Sequence, residues 1–436
     1  MIDSQFVPVQ FDADLDFARS MDAQDGLHAL REAFNFPRSR NGHDPVYLCG
    51  HSLGLQPKLA VRYVQEDLED WGNLAVEGHF HARRPWMPYH RLATPGLARL
   101  AGALDAEVVA MNTLTVNLHV MMATFYRPAG RRRKILIEST AFPSDRFAAA
   151  SQIRLHGFDP ADALLEWRPR AGGAELHLDD LAAILDEHGE EIALLLLPGV
   201  QYYSGQVLDM PAICRLGRDH GCAVGLDLAH AIGNVPLSLH DWGPDFAVWC
   251  NYKYLNGGPG AVGGAFVAAR HLDGDGTRQL LGWWGHDEAT RFEMAPTFRP
   301  ARGVELWQLS NPPILSLAPV LASLDIFGRA KMDRLREKSR KLTGYLDYLL
   351  RHHFEGRIES ITPPHARGCQ LSLVVADSRI DARSLFRRLE NRNVIADWRE
   401  PNVIRVAPVP LYNTYEDVYR FIEHLAASVR DETGAA

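Results

Sequence analysis

Features that mark secreted, membrane-spanning and nucleic-acid-binding proteins are scarce in this chain. Its 436 residues include 5 cysteines, which are too few and too scattered for a disulfide framework or a zinc site. No stretch reaches the roughly 18 apolar residues that a membrane-spanning helix needs. The formal net charge of -8 argues against nucleic acid or an anionic membrane as the main partner.

Two further absences narrow the class of protein. The first residues, MIDSQ, lack the basic region and the apolar core of a signal peptide, so we expect no leader. Internal repeats are not visible, and a hydrophobic content of 46% with a charged content of 23% is ordinary for a globular protein. We therefore expect a cytoplasmic globular protein without a metal site.

The most informative stretch, residues 246–258, reads FAVWCNYKYLNGG. An apolar, strand-like run ends on Lys253, which stands between Tyr252 and Tyr254 and is followed by glycines. A lysine at the edge of an aromatic pocket loses part of its hydration, which favours the free amine that Schiff-base chemistry requires. The alternative is a lysine that only extends its charged end into water at the end of a strand.

A second apolar run, residues 222–226, leads to Asp227, and His230 follows three residues later. Ligands collect beyond the carboxyl ends of the strands in an open parallel sheet, so we expect Asp227, His230 and Lys253 to face one cavity. An acid that keeps a pyridine nitrogen protonated, a lysine and a histidine are the parts of a pyridoxal 5′-phosphate (PLP) site. An aspartate that caps a helix is the alternative for Asp227.

Five stretches carry a resemblance to a known family. They are DLAH at 227–230, NYKYL at 251–255, GWWGH at 282–286, SNPP at 310–313 and IRVAPVPLY at 404–412. In this order they resemble the kynureninases, which are class V aminotransferase-like PLP enzymes of fold type I, and the resemblance runs from about residue 47 to residue 412. It implies hydrolysis of L-kynurenine or 3-hydroxy-L-kynurenine to anthranilate or 3-hydroxyanthranilate and L-alanine, in tryptophan catabolism or on a route to NAD.

The resemblance also implies an α/β fold, PLP-dependent transferase-like of fold type I. In this fold a large domain with a mainly parallel sheet flanked by helices is followed by a smaller C-terminal α+β domain. The alternation of apolar strands and helical segments from 193 to 268 favours the same parallel sheet. We expect an N-terminal arm at 1–45, the large PLP-binding domain at 46–315 and the small domain at 316–436.

Some elements are predicted individually. The apolar spacing of Val61, Val64, Leu68 and Trp71 predicts one face of a helix. One long helix is expected from about residue 316 to 352, and a disordered tail after Ser428.

The resemblance assigns the cofactor site residue by residue. Lys253 would hold the cofactor, and Asp227 would keep its ring nitrogen protonated. Tyr252 is the candidate acid–base group, although a purely structural contact with the phosphate stays open for it. The other cofactor-binding residues that the resemblance implies are Leu114, Thr115, Phe142, Ser144, Asp145, His230, Trp283 and Asn311.

Two of these assignments depend on a partner subunit, and two depend on the start of a helix. Trp283 and Asn311 match donors that come from the second subunit in this family, which makes a homodimer with shared active sites obligatory. Residues 111–119 read as a loop that leads into a helix, and a helix N-terminus at Leu114 and Thr115 would offer its N–H groups to a phosphate. A plain helix cap is compatible with this role.

Substrate binding is assigned to three residues. Arg405 would anchor the α-carboxylate, for which a guanidinium is well suited. His79 and His286 match positions that face the substrate. The choice between kynurenine and its 3-hydroxy analogue depends on contacts with one hydroxyl group, which would come from His79 or Asn311.

Three other functions stay open at this stage. GHSLG at 50–54 fits the nucleophile elbow of a serine hydrolase, with Ser52 as nucleophile. In kynureninases this stretch usually reads GNSLG, so His51 replaces an asparagine. A cysteine desulfurase shares the fold and would use Cys369, and a catalytically silent binding protein is the third possibility.

Overall fold

Two units of packing make up the chain, as described by a computed structural model for residues 10–273 and 278–433. The large unit comprises residues 51–332, and the small unit comprises residues up to 50 together with 333 onwards. The parts of the expected arm and tail at 1–9 and 434–436 lie outside the described residues.

The strands and helices are numbered in chain order. The strands are β1 (Phe34–Asn35), β2 (Val46–Tyr47), β3 (Gln56–Pro57), β4 (Val108–Ala110), β5 (Lys134–Glu138), β6 (Leu164–Trp167), β7 (Ile192–Pro198), β8 (Ala223–Asp227), β9 (Phe246–Cys250), β10 (Gly263–Val267), β11 (Ile358–Ser360), β12 (Leu371–Val375), β13 (Val394–Ile395), β14 (Asp397–Arg399) and β15 (Val403–Val406). The helices are α1 (Leu15–Gln24), α2 (Lys58–Leu74), α3 (Gly78–His81), α4 (Thr94–Ala101), α5 (Leu114–Phe125), α6 (Pro143–Leu155), α7 (Pro160–Ala163), α8 (Leu178–His188), α9 (Met210–Asp219), α10 (Leu239–Trp242), α11 (Ile314–Ala330), α12 (Met332–Phe354), α13 (Ala382–Asn391) and α14 (Tyr415–Thr433).

The large unit is built on one mainly parallel sheet with the strand order β4–β10–β9–β8–β7–β5–β6. The neighbours from β6 to β9 are parallel, whereas β10 runs antiparallel to both β9 and β4. The carboxyl ends of β5, β7, β8 and β9 therefore meet at one edge. Side chains at that edge come from Glu138, Pro198, Asp227 and Cys250.

The predicted elements of this sheet have clear local causes. β7 is a continuous apolar run that is buried along its whole length, as central parallel strands are. The carboxylate of Asp209 accepts a hydrogen bond from the Ala212 N–H at 3.0 Å, and Pro211 fits the first turn of α9, so this helix begins at Met210. Apolar side chains of β5, β7 and β9 form one core with those of α5 and α6.

The division into units differs from the expected boundaries. β2 pairs in parallel with β13, and α1 packs against α14, so the residues before 51 belong with the C-terminal part of the chain. α11 packs against α2 and belongs to the large unit. These packing units divide at 332/333, and the domain boundary at 315/316 stays a prediction.

Two predictions at the C-terminal end are wrong. The expected single helix from 316 to 352 is broken between α11 and α12, where Lys331 has the left-handed backbone angle φ 61°. The segment after Ser428 is helical up to Thr433. Val429 is buried in the core of the small unit, and Glu432 accepts hydrogen bonds from Ser384 and Arg388.

The predicted helix at 61–71 is α2, but its apolar face does not point into the large unit. Val61 is 54% exposed and Trp71 is 61% exposed. The buried face carries Asp67 instead, which accepts hydrogen bonds from Arg84 and Tyr89. The hydrogen bonds of Asp67 therefore hold the buried face of α2 in place, and the apolar face of α2 lies on the surface.

The small unit contains the sheet β11–β12–β15–β14, whose neighbouring strands are antiparallel. Helices α12, α13 and α14 supply the apolar side chains that pack with this sheet. Within residues 10–273 and 278–433, no helix combines the length and the apolar character that crossing a membrane requires.

Candidate active site

Lys253 lies in the turn that follows β9, at the sheet edge where the parallel strands end. Its Nζ is 5.9 Å from the ring centroid of Phe142 and 5.8 Å from that of Tyr252. The side chain is half-buried and lines a cavity together with eight other predicted cofactor residues, namely Leu114, Thr115, Phe142, Ser144, Asp145, Asp227, His230 and Tyr252. The lysine thus has the aromatic surroundings that the sequence predicts.

The backbone of this turn is held by the GHSLG stretch. The N–H of Gly54 donates to the carbonyl of Tyr252 at 2.8 Å. A Cβ at position 54 would lie 2.3 Å from the carbonyl oxygen of Lys253 and 2.3 Å from Oδ1 of Asn256. Only glycine permits this approach, so the stretch positions the lysine turn.

Asp227 is buried at the end of β8, the strand next to β9. Its Oδ1 accepts a hydrogen bond from the N–H of Ala229 at 2.7 Å. Burial raises the pKa of Asp227, and the ammonium of Lys253 opposes that rise. The hydrogen bond from Ala229 is compatible with a purely structural, capping role for Asp227, but Asp227 also lines the Lys253 cavity.

The first turn of α5 supplies the site for an anion. Leu114 and Thr115 line the cavity, and the N-cap residue Thr113 makes no side-chain cap hydrogen bond. Thr115 Oγ1 lies 3.0 Å from Ser144 Oγ, so two hydroxyl groups converge beside this helix end. Hydroxyls together with first-turn N–H groups form a suitable phosphate site.

The start of α6 brings Phe142, Ser144 and Asp145 to the same cavity. Phe142 is 43% exposed and meets Tyr202 edge-on, with 5.2 Å between ring centroids. Asp145 is buried, and burial together with the neighbouring Asp227 raises its pKa well above the ordinary value. The aromatic face is available for a planar ring.

Tyr252 and His230 complete the predicted set in the large unit. Burial and the neighbouring Cys250 raise the pKa of Tyr252, so its phenol keeps its proton near neutral pH. The His230 ring is buried, with centroid distances of 6.5 Å to His51 and 6.4 Å to Tyr254. His51, the substitution in the GHSLG stretch, therefore lies next to a cavity residue.

Several lining residues were not predicted as site residues. They are Glu138, Pro198, Val200, Tyr202 and Ala229. A signal for Glu138 exists, because it ends an apolar strand just as Asp227 does. Tyr202 lies in the loop after β7, and nothing in the sequence pattern indicates its contact with Phe142.

Four predicted residues of the large unit do not line the Lys253 cavity. Trp283 is 45% exposed and donates through Nε1 to the carbonyl of Arg291, and Asn311 is also exposed. His79 donates through Nδ1 to the carbonyl of Val76 at 2.9 Å.

His286 is held inside its own loop. Its Nδ1 accepts from the N–H of Arg299 at 3.2 Å, so its Nε2 carries the proton that is shared with Thr290. The ring is buried and packs edge-on against Phe298.

Arg405 lies in the small unit, in the middle of β15 and fully buried. Its guanidinium donates to the carboxylate of Asp397 on the neighbouring strand β14. Burial lowers the pKa of Arg405, and the charge of Asp397 opposes that change. The acidic partner is thus a half-buried residue of the same sheet.

The donor set of the cavity fits PLP. Lys253 offers an amine for the aldehyde, Asp227 a carboxylate for the ring nitrogen, and Phe142 an exposed face for the ring. The phosphate would take the end of α5 with the hydroxyls of Thr115 and Ser144.

The two rival nucleophiles are poorly placed. Cys369 is buried and accepts a hydrogen bond from Ser339, and burial raises the pKa of its thiol to about 11. A nucleophilic cysteine needs the opposite shift and exposure. Ser52 lies in a turn six residues before α2 begins at Lys58, so it does not occupy a sharp strand-to-helix elbow.

Two solved structures with the same fold are distant from this chain in sequence. A cystine C–S lyase matches with a TM-score of 0.74 and 19% identity, covering 88% of this chain and 97% of that one. A cysteine desulfurase from Thermococcus onnurineus NA1 matches with a TM-score of 0.73 and 16% identity, covering 88% and 94%. These likenesses confirm the predicted fold, PLP-dependent transferase-like of fold type I.

Curated relatives are much closer. The kynureninase of Xanthomonas campestris pv. campestris (strain B100) is 55% identical over 410 residues, which cover 94% of this chain and 96% of the relative. That of Myxococcus xanthus (strain DK1622) is 52% identical over 426 residues, covering 97% and 99%. The family model for the kynureninase C-terminal domain matches residues 335–425. The chain belongs to the kynureninase family, whose enzymes hydrolyse kynurenine with PLP as cofactor.

Proposed function

We propose that the cavity around Lys253 carries the kynurenine hydrolysis of this chain. The observation that supports this most strongly is that Lys253, Asp227 and the first turn of α5 line one cavity. Each of the three supplies a different requirement of PLP, namely a covalent link, a ring partner and a phosphate site.

Cofactor binding would be shared among the predicted residues. Lys253 would hold the cofactor through its amine, and Asp227 would keep the ring nitrogen protonated. Leu114, Thr115 and Ser144 would hold the phosphate, and Phe142 would contact the ring. Asp145, His230 and Tyr252 border these groups. Trp283 and Asn311 complete the site from the second subunit.

The chain's own groups would then move the protons. When bound, the cofactor stores the electron pair that is released at the substrate α-carbon. The amine of Lys253 would take the proton from the substrate α-carbon. Water would add to the γ-carbonyl, and the Cβ–Cγ bond would break to release the anthranilate. Cβ would then take up a proton and Lys253 would return a proton to the α-carbon, which gives alanine. Tyr252 acts as a hydrogen-bond donor or acid, since its raised pKa keeps the phenol protonated.

Arg405, His79 and His286 would bind the substrate. A buried guanidinium that already binds Asp397 is fixed in orientation, which favours two-point binding of an α-carboxylate. His79 and Asn311 are the residues for the 3-position of the aromatic ring. The contact of His79 Nδ1 with the Val76 carbonyl leaves Nε2 to make a hydrogen bond with a hydroxyl group.

A homodimer with shared sites is part of this proposal, as is a cytoplasmic location. The apolar face of α2 supports the homodimer, since Val61, Leu68 and Trp71 are each more than 40% exposed and lie at helical spacing. The exposure of Trp283 and Asn311 outside the Lys253 cavity supports it independently, because both would be available to a second copy.

Turnover can be tested with L-kynurenine and with 3-hydroxy-L-kynurenine, followed by the fluorescence of the anthranilate product. Wild type should release anthranilate and L-alanine in equal amounts. Lys253→Ala should lose this activity, whereas Lys331→Ala, outside the cavity, should keep it. Equal turnover by the Lys253→Ala protein would contradict the assignment.

Shared sites can be tested by mixing two inactive variants. Lys253→Ala chains keep Trp283 and Asn311, and a Trp283→Ala/Asn311→Ala chain keeps Lys253. After random exchange, about a quarter of wild-type activity should return, because half of the dimers are mixed and each contains one intact site of two. If each chain uses only its own residues, no activity will return.

A further inference from the structure

Glu138 is a buried carboxyl group of the cofactor cavity to which the proposed reaction gives no task. It ends β5, while Asp227 ends β8 and Asp145 lies in the first turn of α6. All three are buried, and all three line the cavity with Lys253. Three carboxylates beside one ammonium cannot all be ionised at low cost, because like charges in a buried site disfavour each other.

The groups that face Glu138 come from several elements. Asp227 approaches from β8, Asp145 and Arg146 belong to α6, and Gln201 donates a hydrogen bond from the loop after β7. Arg146 does not neutralise Glu138, because its guanidinium is paired with Glu166 and also donates to the carbonyl of Ser139 at 3.1 Å.

No ion pair reaches Glu138 within residues 10–273 and 278–433. A buried acid without a cation beside it holds its proton to a higher pH than usual.

The surroundings of Asp227 and Asp145 favour different protonation states. Asp227 receives the N–H of Ala229 and feels the ammonium of Lys253, and both favour its ionised form. Burial and the neighbouring charges of Asp227 and Glu138 raise the pKa of Asp145 well above its ordinary value, so Asp145 favours its protonated form. The arrangement that meets these contacts has Asp227 ionised and Asp145 protonated.

We propose that Glu138 is a positioning residue that holds a further proton next to the Asp145–Asp227 pair and, by gaining or losing it, sets the charge felt by the cofactor. This inference rests on the proposed roles of Asp227 and Lys253. A neutral Glu138 leaves Asp227 as the single anion of the cluster. An ionised Glu138 adds a second negative charge, which strengthens proton binding by Asp145 and by the link between Lys253 and the cofactor.

The change of charge falls in the working range of pH. Burial and Asp227 raise the pKa of Glu138 to about 7, against the hydrogen bond from Gln201 and the more distant charge of Arg146. The protonation of this one residue would therefore shift between slightly acid and slightly alkaline solution.

Glu138→Gln in the holoenzyme tests this. The measured quantity is the midpoint pH of the change in visible absorption without substrate. Loss of the negative charge should lower that midpoint by about one pH unit, because the proton on the Lys253 link is then less favoured. Glu190→Gln, at a side chain that is 84% exposed, is the matched control and should leave the midpoint unchanged.

A midpoint in Glu138→Gln within about 0.2 unit of wild type would overturn the inference. Infrared spectroscopy of the wild type provides a second test if the variant does not fold. One protonated-carboxyl band should be lost between about pH 6 and pH 8 while the band of Asp145 remains, and an unchanged set of bands across that range would equally overturn the inference. Failure of the proposed function is recognised separately, by a wild type that neither binds PLP nor releases anthranilate.

Discussion

Glu138, Asp145 and Asp227 lose their hydration on folding, and this desolvation dominates the electrostatics of the cavity at the residue scale. The folded chain binds the Glu138 proton up to about pH 7, whereas the ordinary pKa of a glutamate is 4.5. The contribution of Glu138 to stability is therefore fully present below the unfolded pKa and is lost as the pH rises through the folded pKa.

From this shift we predict that the free energy of unfolding of the cofactor-free chain falls between about pH 4.5 and pH 7, with Glu138 contributing about 3 kcal/mol to the fall. In Glu138→Gln the free energy of unfolding should fall less over that pH window, by about this amount. In Glu190→Gln it should change with pH as it does in the wild type. Urea unfolding at a series of pH values measures the effect. Parallel pH curves for wild type and Glu138→Gln would show that the carboxyl is not held protonated.

The sequence predicts those site residues that end an apolar run. Asp227 and Lys253 are of this kind, and both line the predicted cavity. Glu138 has the same position on its strand, but the sequence does not show which strand ends share an edge, since β7 lies between β5 and β8. Tyr202 was missed because its contact with Phe142 joins two loops that are distant in the chain.

At the scale of elements, the close approach of two backbone segments explains the GHSLG motif, whose role the sequence leaves ambiguous. Gly54 makes GHSLG look like a nucleophile elbow in sequence, but its hydrogen bond to Tyr252 gives it a structural task beside the lysine turn. The apolar pattern of α2 predicts its helix but not the environment of its apolar face. Its periodicity correctly indicates a helix, yet periodicity cannot tell whether an apolar face meets a core or a second molecule.

Gly54→Ala should therefore displace the lysine turn. The added Cβ would meet the Lys253 carbonyl oxygen at 2.3 Å, so we expect a loss of about 1–3 kcal/mol in stability and a weaker affinity for PLP. Gly72→Ala in α2 is the matched control, because nothing lies within 4 Å of its Cβ, and it should stabilise by about 0.5–1 kcal/mol. PLP titration measures the cofactor affinity of the two variants, and urea unfolding measures their stability. Unchanged cofactor affinity in Gly54→Ala would contradict the positioning role.

At the scale of the whole molecule, the exposed face of α2 and the exposed Trp283 have one explanation in a second copy of the chain. Trp71→Glu places a charge on a surface that the proposed dimer buries, so the dimer should dissociate at concentrations where wild type remains associated. Sedimentation velocity distinguishes the two states. Glu190→Lys is the control, and an unchanged sedimentation coefficient for Trp71→Glu would exclude this face from the interface.

The link between Lys253 and the cofactor can be located directly. Borohydride reduction of the C=N bond in the holoenzyme, followed by digestion and mass spectrometry, fixes the cofactor on its lysine. The account predicts the modified mass on the peptide that contains Lys253, and no modification of the other lysines. Modification of a different lysine, or an unmodified Lys253 in an active enzyme, would contradict it.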